Sequence, residues 1–175
     1  MGSEMCIRDR RYSNFVGNGV GVRANSGSVE VSGYRFYGNT SGIYVNGGTL
    51  KIVGNEIRVV FKGRYNFNVD GILEVVGAEG DSVVFSSLYP DTMRYPGIRC
   101  RRGSSGSFRY ARVEYSDNGI WANGSVGIEV YNSIFERNVY GISDTSRNLS
   151  VLGSKFLRNG DGEWVSSVSN VSIDS

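Results

Sequence analysis

The sequence predicts an all-β chain wound as a parallel β-helix, a solenoid in which each turn pairs with the turns above and below. Three observations predict it: a repeat of about 21 residues, short alternating apolar runs inside each repeat, and no window with helical periodicity. Composition is compatible. The 175 residues are 39% hydrophobic and 21% charged, enough apolar material for a core and too little charge for a disordered chain. Twenty-five glycines stand against two prolines, which excludes collagen and Pro/Gly-rich disorder.

The first ten residues, MGSEMCIRDR, match nothing in the periodic pattern and lack the apolar stretch of a signal peptide. They read as a non-native leader, residues 1–10, with the β-helix over 11–175 as a piece of a longer protein. From there an aromatic followed three residues later by Asn recurs at Phe15/Asn18, Phe36/Asn39, Tyr115/Asn118, Phe135/Asn138 and Phe156/Asn159. The steps between these asparagines are 21, 79, 20 and 21 residues, so the long gap holds three or four units with insertions and the chain makes roughly seven coils. Shortly after each Asn comes Gly, usually with an aliphatic next, as in Gly19-Val20, Gly42-Ile43, Gly119-Ile120 and Gly141-Ile142, and more loosely Gly160 and Gly162 before Trp164-Val165.

Each unit also alternates with the period of a strand. Ile43 and Val45 flank Tyr44, Leu50 and Ile52 flank Lys51, Ile128 and Val130 flank Glu129, and Leu149 and Val151 flank Ser150. Short strands at constant period without crossover helices imply one repeat per turn, with each strand paired to its copy about 4.8 Å away. The aromatic rings are then expected to face inward in columns. The asparagines are expected at corners, left-handed and bonded to one another, with the next glycine allowing the turn.

Taken together, the Phe-x-x-Asn step, the Gly-Ile pair and the stretch Tyr110–Asn159 resemble the right-handed parallel β-helix superfamily, the pectate-lyase-like fold. A second stretch, VDGILEVVGAEGDSVVFSS over Val69–Ser87, resembles the central coil of β-helix domains in bacterial and archaeal surface proteins. The resemblance implies a right-handed coil and an extracellular or cell-surface setting. It implies no single activity, because the fold carries lyases, hydrolases and adhesins alike.

Chemistry is bounded mostly by exclusion. The chain has no histidine, which removes His-based acid–base catalysis and the commonest transition-metal ligand. Its two cysteines have no metal-like spacing, and Cys100 in an alternating run reads as a small buried residue. No metal or cofactor is expected. Net charge is only +2 and no apolar run approaches a bilayer-spanning length, so neither nucleic acid nor membrane insertion is expected. Asp117, Asp144 and Asp161 read as corner residues, and the Asn-x-Ser/Thr triplets at Asn39, Asn123, Asn148 and Asn170 give weak support for an extracellular setting.

One surface stands out as a contact site. Six arginines fall between Arg94 and Arg112, beside an insertion over Leu88–Pro96 that interrupts the regular coil. The candidate ligand-binding residues are Tyr89, Asp91, Arg94, Tyr95, Arg99, Arg101 and Trp121, with Trp121 one coil from Arg99. An indole beside guanidinium groups suits the apolar face and the carboxylate or sulfate of an acidic sugar. The simpler alternative is that Arg99 only covers Trp121 and Arg109 pairs with Glu129. No catalytic residue is assigned. The sequence thus predicts a non-catalytic surface scaffold contacting polysaccharide or a cell-surface glycan, and associating end to end through open coil edges. The competing prediction is a polysaccharide lyase or glycoside hydrolase, whose acidic pair would come from different coils.

Overall fold

The computed structural model describes residues 10–11, 15–17, 22–32, 35–39, 43–54, 57–64, 67–145, 148–160 and 162–166. Within them the chain is all-β, without a helix, and visits three parallel sheets in strict rotation. Sheet 1 holds Arg10–Arg11, Ser28–Ser32, Thr49–Val53, Ile72–Val76, Ser105–Arg109, Gly127–Tyr131 and Leu149–Leu152. Sheet 2 holds Phe15–Val16, Arg35–Asn39, Arg58–Phe61, Val83–Ser87, Ala111–Glu114, Ile134–Glu136 and Lys155–Leu157. Sheet 3 holds Arg23–Ala24, Tyr44–Val45, Phe67–Val69, Tyr95–Cys100, Ser116–Ala122, Tyr140–Asp144 and Gly162–Ser166. This is the parallel β-solenoid that the repeat predicts.

Alternation decides which residues form the core. In sheet 1, Leu50, Leu73, Ile128 and Leu149 make one buried column, while Ile52, Val75, Phe108, Val130 and Val151 make a second. Gly106 takes the first column's slot between Leu73 and Ile128, where a Cβ would press the Phe108 ring at 3.1 Å. A missing side chain in one column makes room for a large one in the next. In sheet 3, Ile43, Phe67, Ile98, Ile120 and Ile142 fill the corresponding inner positions, and Cys100 is buried between Val69 and Ala122.

The aromatic column is in sheet 2, with one change of membership. Strand register stacks Phe15, Phe36, Val59, Phe85, Val113, Phe135 and Phe156 in successive coils. Phe135 is fully buried and stacks on Phe156 at 5.1 Å, while the orientation of the Phe15 and Phe36 rings lies outside the described residues. Tyr115 does not belong to the column. Val113 occupies the slot, and Tyr115 lies at the following corner with φ 57°, its ring under the Arg137 guanidinium at 5.6 Å.

The corner asparagines form the expected ladder, but the left-handed residue is the one before each. Arg137 and Arg158 have φ of 55° and 54° and turn the chain. Asn138 and Asn159 then point inward and bond along the axis. Asn138 Oδ1 accepts from Ser116 N at 3.0 Å and Ser116 Oγ at 2.7 Å, and its Nδ2 donates to the Val113 carbonyl at 2.9 Å. Asn159 Oδ1 accepts from Asn138 N at 3.0 Å, and its Nδ2 donates to the Phe135 carbonyl at 3.0 Å. Asn118 sits instead in a sheet 3 strand opposite Tyr140, and its expected place in the ladder belongs to Ser116. A serine ladder, Ala111 N to Ser133 Oγ and Ser133 N to Ser154 Oγ, serves the corner between sheets 1 and 2.

Gly119 and Gly141 have a different task from the one expected. They lie within strands rather than at turns, and a Cβ on Gly119 would collide with the Gly141 carbonyl and meet the Phe135 ring at 2.8 Å. Close backbone approach is what requires glycine there. Gly119→Ala is therefore expected to destabilise strongly, whereas Gly127→Ala, with nothing within 4 Å, is expected to be neutral. Asn138→Ala, which strands buried backbone groups, is expected to lose roughly 3 kcal/mol, or about 6–12 °C in Tm. Urea and thermal melts of the three variants check both.

Candidate functional site

Two insertions fall in one coil, which takes 33 residues from Glu74 to Ser107 against 21 from Glu30 to Lys51. The first, residues 77–82, projects as a tight turn closed by reciprocal Ala78–Asp81 backbone bonds of 3.0 Å. The second runs from Leu88 to Arg94. Ser87 Oγ accepts from Tyr89 N at 3.1 Å and donates to the Met93 carbonyl at 2.5 Å, pinning the base of this loop. Tyr89 and Met93 are exposed, as is Asp91.

The remaining candidate residues are occupied. Tyr95 is not a loop residue at all: it opens a sheet 3 strand and is fully buried, stacked on Phe61 at 4.3 Å, and so cannot touch a surface ligand. It fills the corner slot one coil before Ser116, where an aromatic ring gains more from burial than from solvent. Burial pushes its phenol far above the usual tyrosine range, with Ser116 opposing slightly. Arg94 reaches along the axis to donate to the Arg137 carbonyl and, at 3.5 Å, to that of Ser116. Arg101 pairs with Asp70 one coil away. Arg99 lies over the half-buried Trp121, its guanidinium carbon 4.2 Å from the ring centroid.

Register explains the other revisions. Ser107, not Arg109, lies opposite Glu129, and Arg109 instead covers Tyr131 at 5.2 Å. Asp117 and Asp144 are strand residues; Asp117 pairs with Arg64 at 2.7 Å across two coils, and Asp144 faces inward. Asp161 and Asn170 lie outside the described residues. Asn123 and Asn148 are exposed.

Sequence reasoning missed the densest charge network. Glu114 and Glu136 stand on neighbouring strands of sheet 2, only 13% and 12% exposed at the side chain. Arg112 bridges them, bonding Glu114 at 3.1 Å and also Glu136, with Arg58 at 3.9 Å and Arg137 at 3.6 Å completing the set. Their shared position one residue after Val113 and Phe135, 22 residues apart, was the available signal.

Two open grooves mark the outer faces. One of about 300 Å³ in sheet 1 has Ser105 and Ser107 as its floor between Glu74 and Glu129. The other, about 520 Å³, lies under the 77–82 turn and along Arg112, Ile134 and Lys155 of sheet 2. Among the described residues no three His, Cys, Asp or Glu side chains converge as a metal site.

Compared with protein-family models, with curated proteins and with solved structures, the chain matches none.

Arg99→Ala and Trp121→Ala are each expected to cost about 1 kcal/mol, with the double variant costing less than the sum because they share one contact. A double-mutant cycle in urea measures this. The Cys100 thiol is pushed up to about 12 by burial, so Cys100 should resist alkylation in the folded protein and react in urea. From about pH 9 to 12 the unfolded chain releases a proton the folded one keeps, so stability should fall as pH rises through that window. Comparing denaturation of Cys100→Ala and the parent protein across those pH values isolates the contribution.

Proposed function

We propose that this chain is a non-catalytic segment of a right-handed, pectate-lyase-like β-helix, acting as a rigid spacer in an extracellular or cell-surface protein. The observation that carries the reading is what the candidate arginines are doing. Arg94, Arg99 and Arg101 each reach another coil, and so do Arg64, Arg112 and Arg137. Cations used this way brace adjacent turns against shear and bending. A ligand site instead leaves donors aimed at open space. Right-handed winding is the sense that parallel crossover connections adopt. Contact with polysaccharide or a cell-surface glycan is then confined to Tyr89, Asp91 and the free edge of Trp121.

A second reading, a lyase or glycoside hydrolase module, draws support from Glu74 and Glu129. They stand two strands apart, about 9.6 Å, across an open groove, near the roughly 6.5–9.5 Å separation of inverting glycosidases. Incubation with polyuronates and neutral glycans, followed by reducing-end and unsaturated-product assays, separates the two. The spacer reading expects no turnover. Turnover that disappears in Glu129→Gln would overturn it in favour of the enzyme.

A further inference from the structure

The two grooves have matching chemistry. On sheet 1 the outward column runs Glu30, Lys51, Glu74, Ser107, Glu129, Ser150 in successive coils. On sheet 2 the outward column from Arg58 runs Arg58, Val84, Arg112, Ile134, Lys155. Carboxylates therefore recur every second strand on one face and cations every second strand on another, both at about 9.6 Å because both are set by the same strand spacing. Between the charges the chemistry also alternates. Small Ser107 separates Glu74 from Glu129, and aliphatic Ile134 separates Arg112 from Lys155.

We propose that these faces bind each other, so that the partner of this surface is a second copy of the chain packed side by side. The half-buried Ile134 of one copy packs over Ser107 at the sheet 1 groove, beside the exposed side chains of Ile72 and Val126. Arg112 then meets Glu74, and Lys155 meets Glu129. Parallel rods shifted by one coil add a third pair, Arg58 with Glu30, and set Val84 against the alkyl stem of Lys51. Arg112 stays on Glu114 and Glu136 and turns its exposed edge to Glu74, while the Arg58–Glu114 pair is loose at 3.9 Å. Glu129 and Lys155 are exposed and form no ion pair among the described residues, and the Lys51–Glu74 pair is loose at 3.9 Å. Each copy presents both faces, so the contact is head-to-tail and propagates into a staggered ribbon. Its charge pairs lie at a surface, which makes it weak and salt-sensitive.

Sedimentation velocity over a concentration series tests this. The parent protein should associate at about 0.01 M ionic strength and dissociate near 1 M, where the screening length shrinks about tenfold. Glu74→Lys/Glu129→Lys gives a chain with two cationic faces. Ile134→Glu/Lys155→Glu places two carboxylates on the cationic face, where Lys155 met Glu129, and leaves Arg112 on its buried carboxylates. Each alone should lose self-association by about tenfold or more, and their mixture should recover it. Ser107→Trp, which fills the groove and keeps every charge, should also abolish association. Circular dichroism confirms that each variant folds. A parent protein that stays monomeric at low salt, folded variants that associate as it does, or a mixture that stays monomeric would each overturn the proposal. Association indifferent to both salt and charge reversal would overturn the proposal too, since these faces would not then carry it.

Discussion

Every described strand of this protein pairs with the strand one turn of chain away, in parallel and nearly in register, and the rest of the structure depends on that constraint. Parallel registered pairing gives each side chain a fixed neighbour: its counterpart in the next coil, about 4.8 Å along the axis. A residue is therefore judged less by its sequence neighbours than by the column it joins. Apolar columns close the core, with Gly106 and Phe108 trading volume between adjacent ones. Polar columns must satisfy themselves, and the Ser116–Asn138–Asn159 ladder does so with amide groups that also take up carbonyls left over at the corner.

The same constraint governs charge. Stacking like on like would place carboxylates about 4.8 Å apart, as happens at Glu114 and Glu136. Those two are tolerated because Arg112 lies between them and Arg58 and Arg137 flank them. In sheet 1 and beside Asp70 the columns alternate instead: Glu30 with Lys51 and Glu74, and Asp70 with Arg101. The arginine excess, 16 against three lysines, is consistent with this use, since a guanidinium fork can grip an acid on one coil and a carbonyl or ring on another. Bracing between coils accounts for most of the surface arginines that looked available for a ligand.

Insertions are accommodated because they leave the coil only at corners and return to the same column. The 77–82 turn and the 88–94 loop lengthen one coil without shifting Val75 from Phe108 or Phe85 from Val113. The grooves follow from this regular surface, where one column of small residues or one overhanging turn is enough to make a depression.

The sequence by itself determined the period, the all-β class and the identity of most buried positions. Alternation and repeat length are local quantities, and Ile43, Leu50, Ile128 and Val151 could be assigned inward without knowing what they touch. It also placed Trp121 beside Arg99, because both follow a Gly-Ile pair by one residue. Only the tertiary structure decided membership where coils differ in length or shape. Tyr115 resembled the aromatic slot by its spacing to Asn118, yet the sheet 2 register sets Val113 opposite Phe135 and leaves Tyr115 at the left-handed corner that follows. Tyr95 looked like a loop residue beside Pro96 and is core, and Arg109 met Tyr131 rather than Glu129. The reason is physical: a one-residue change in a corner leaves local propensity untouched but reassigns every cross-coil neighbour, and cross-coil neighbours decide whether a charge is bound, buried or free.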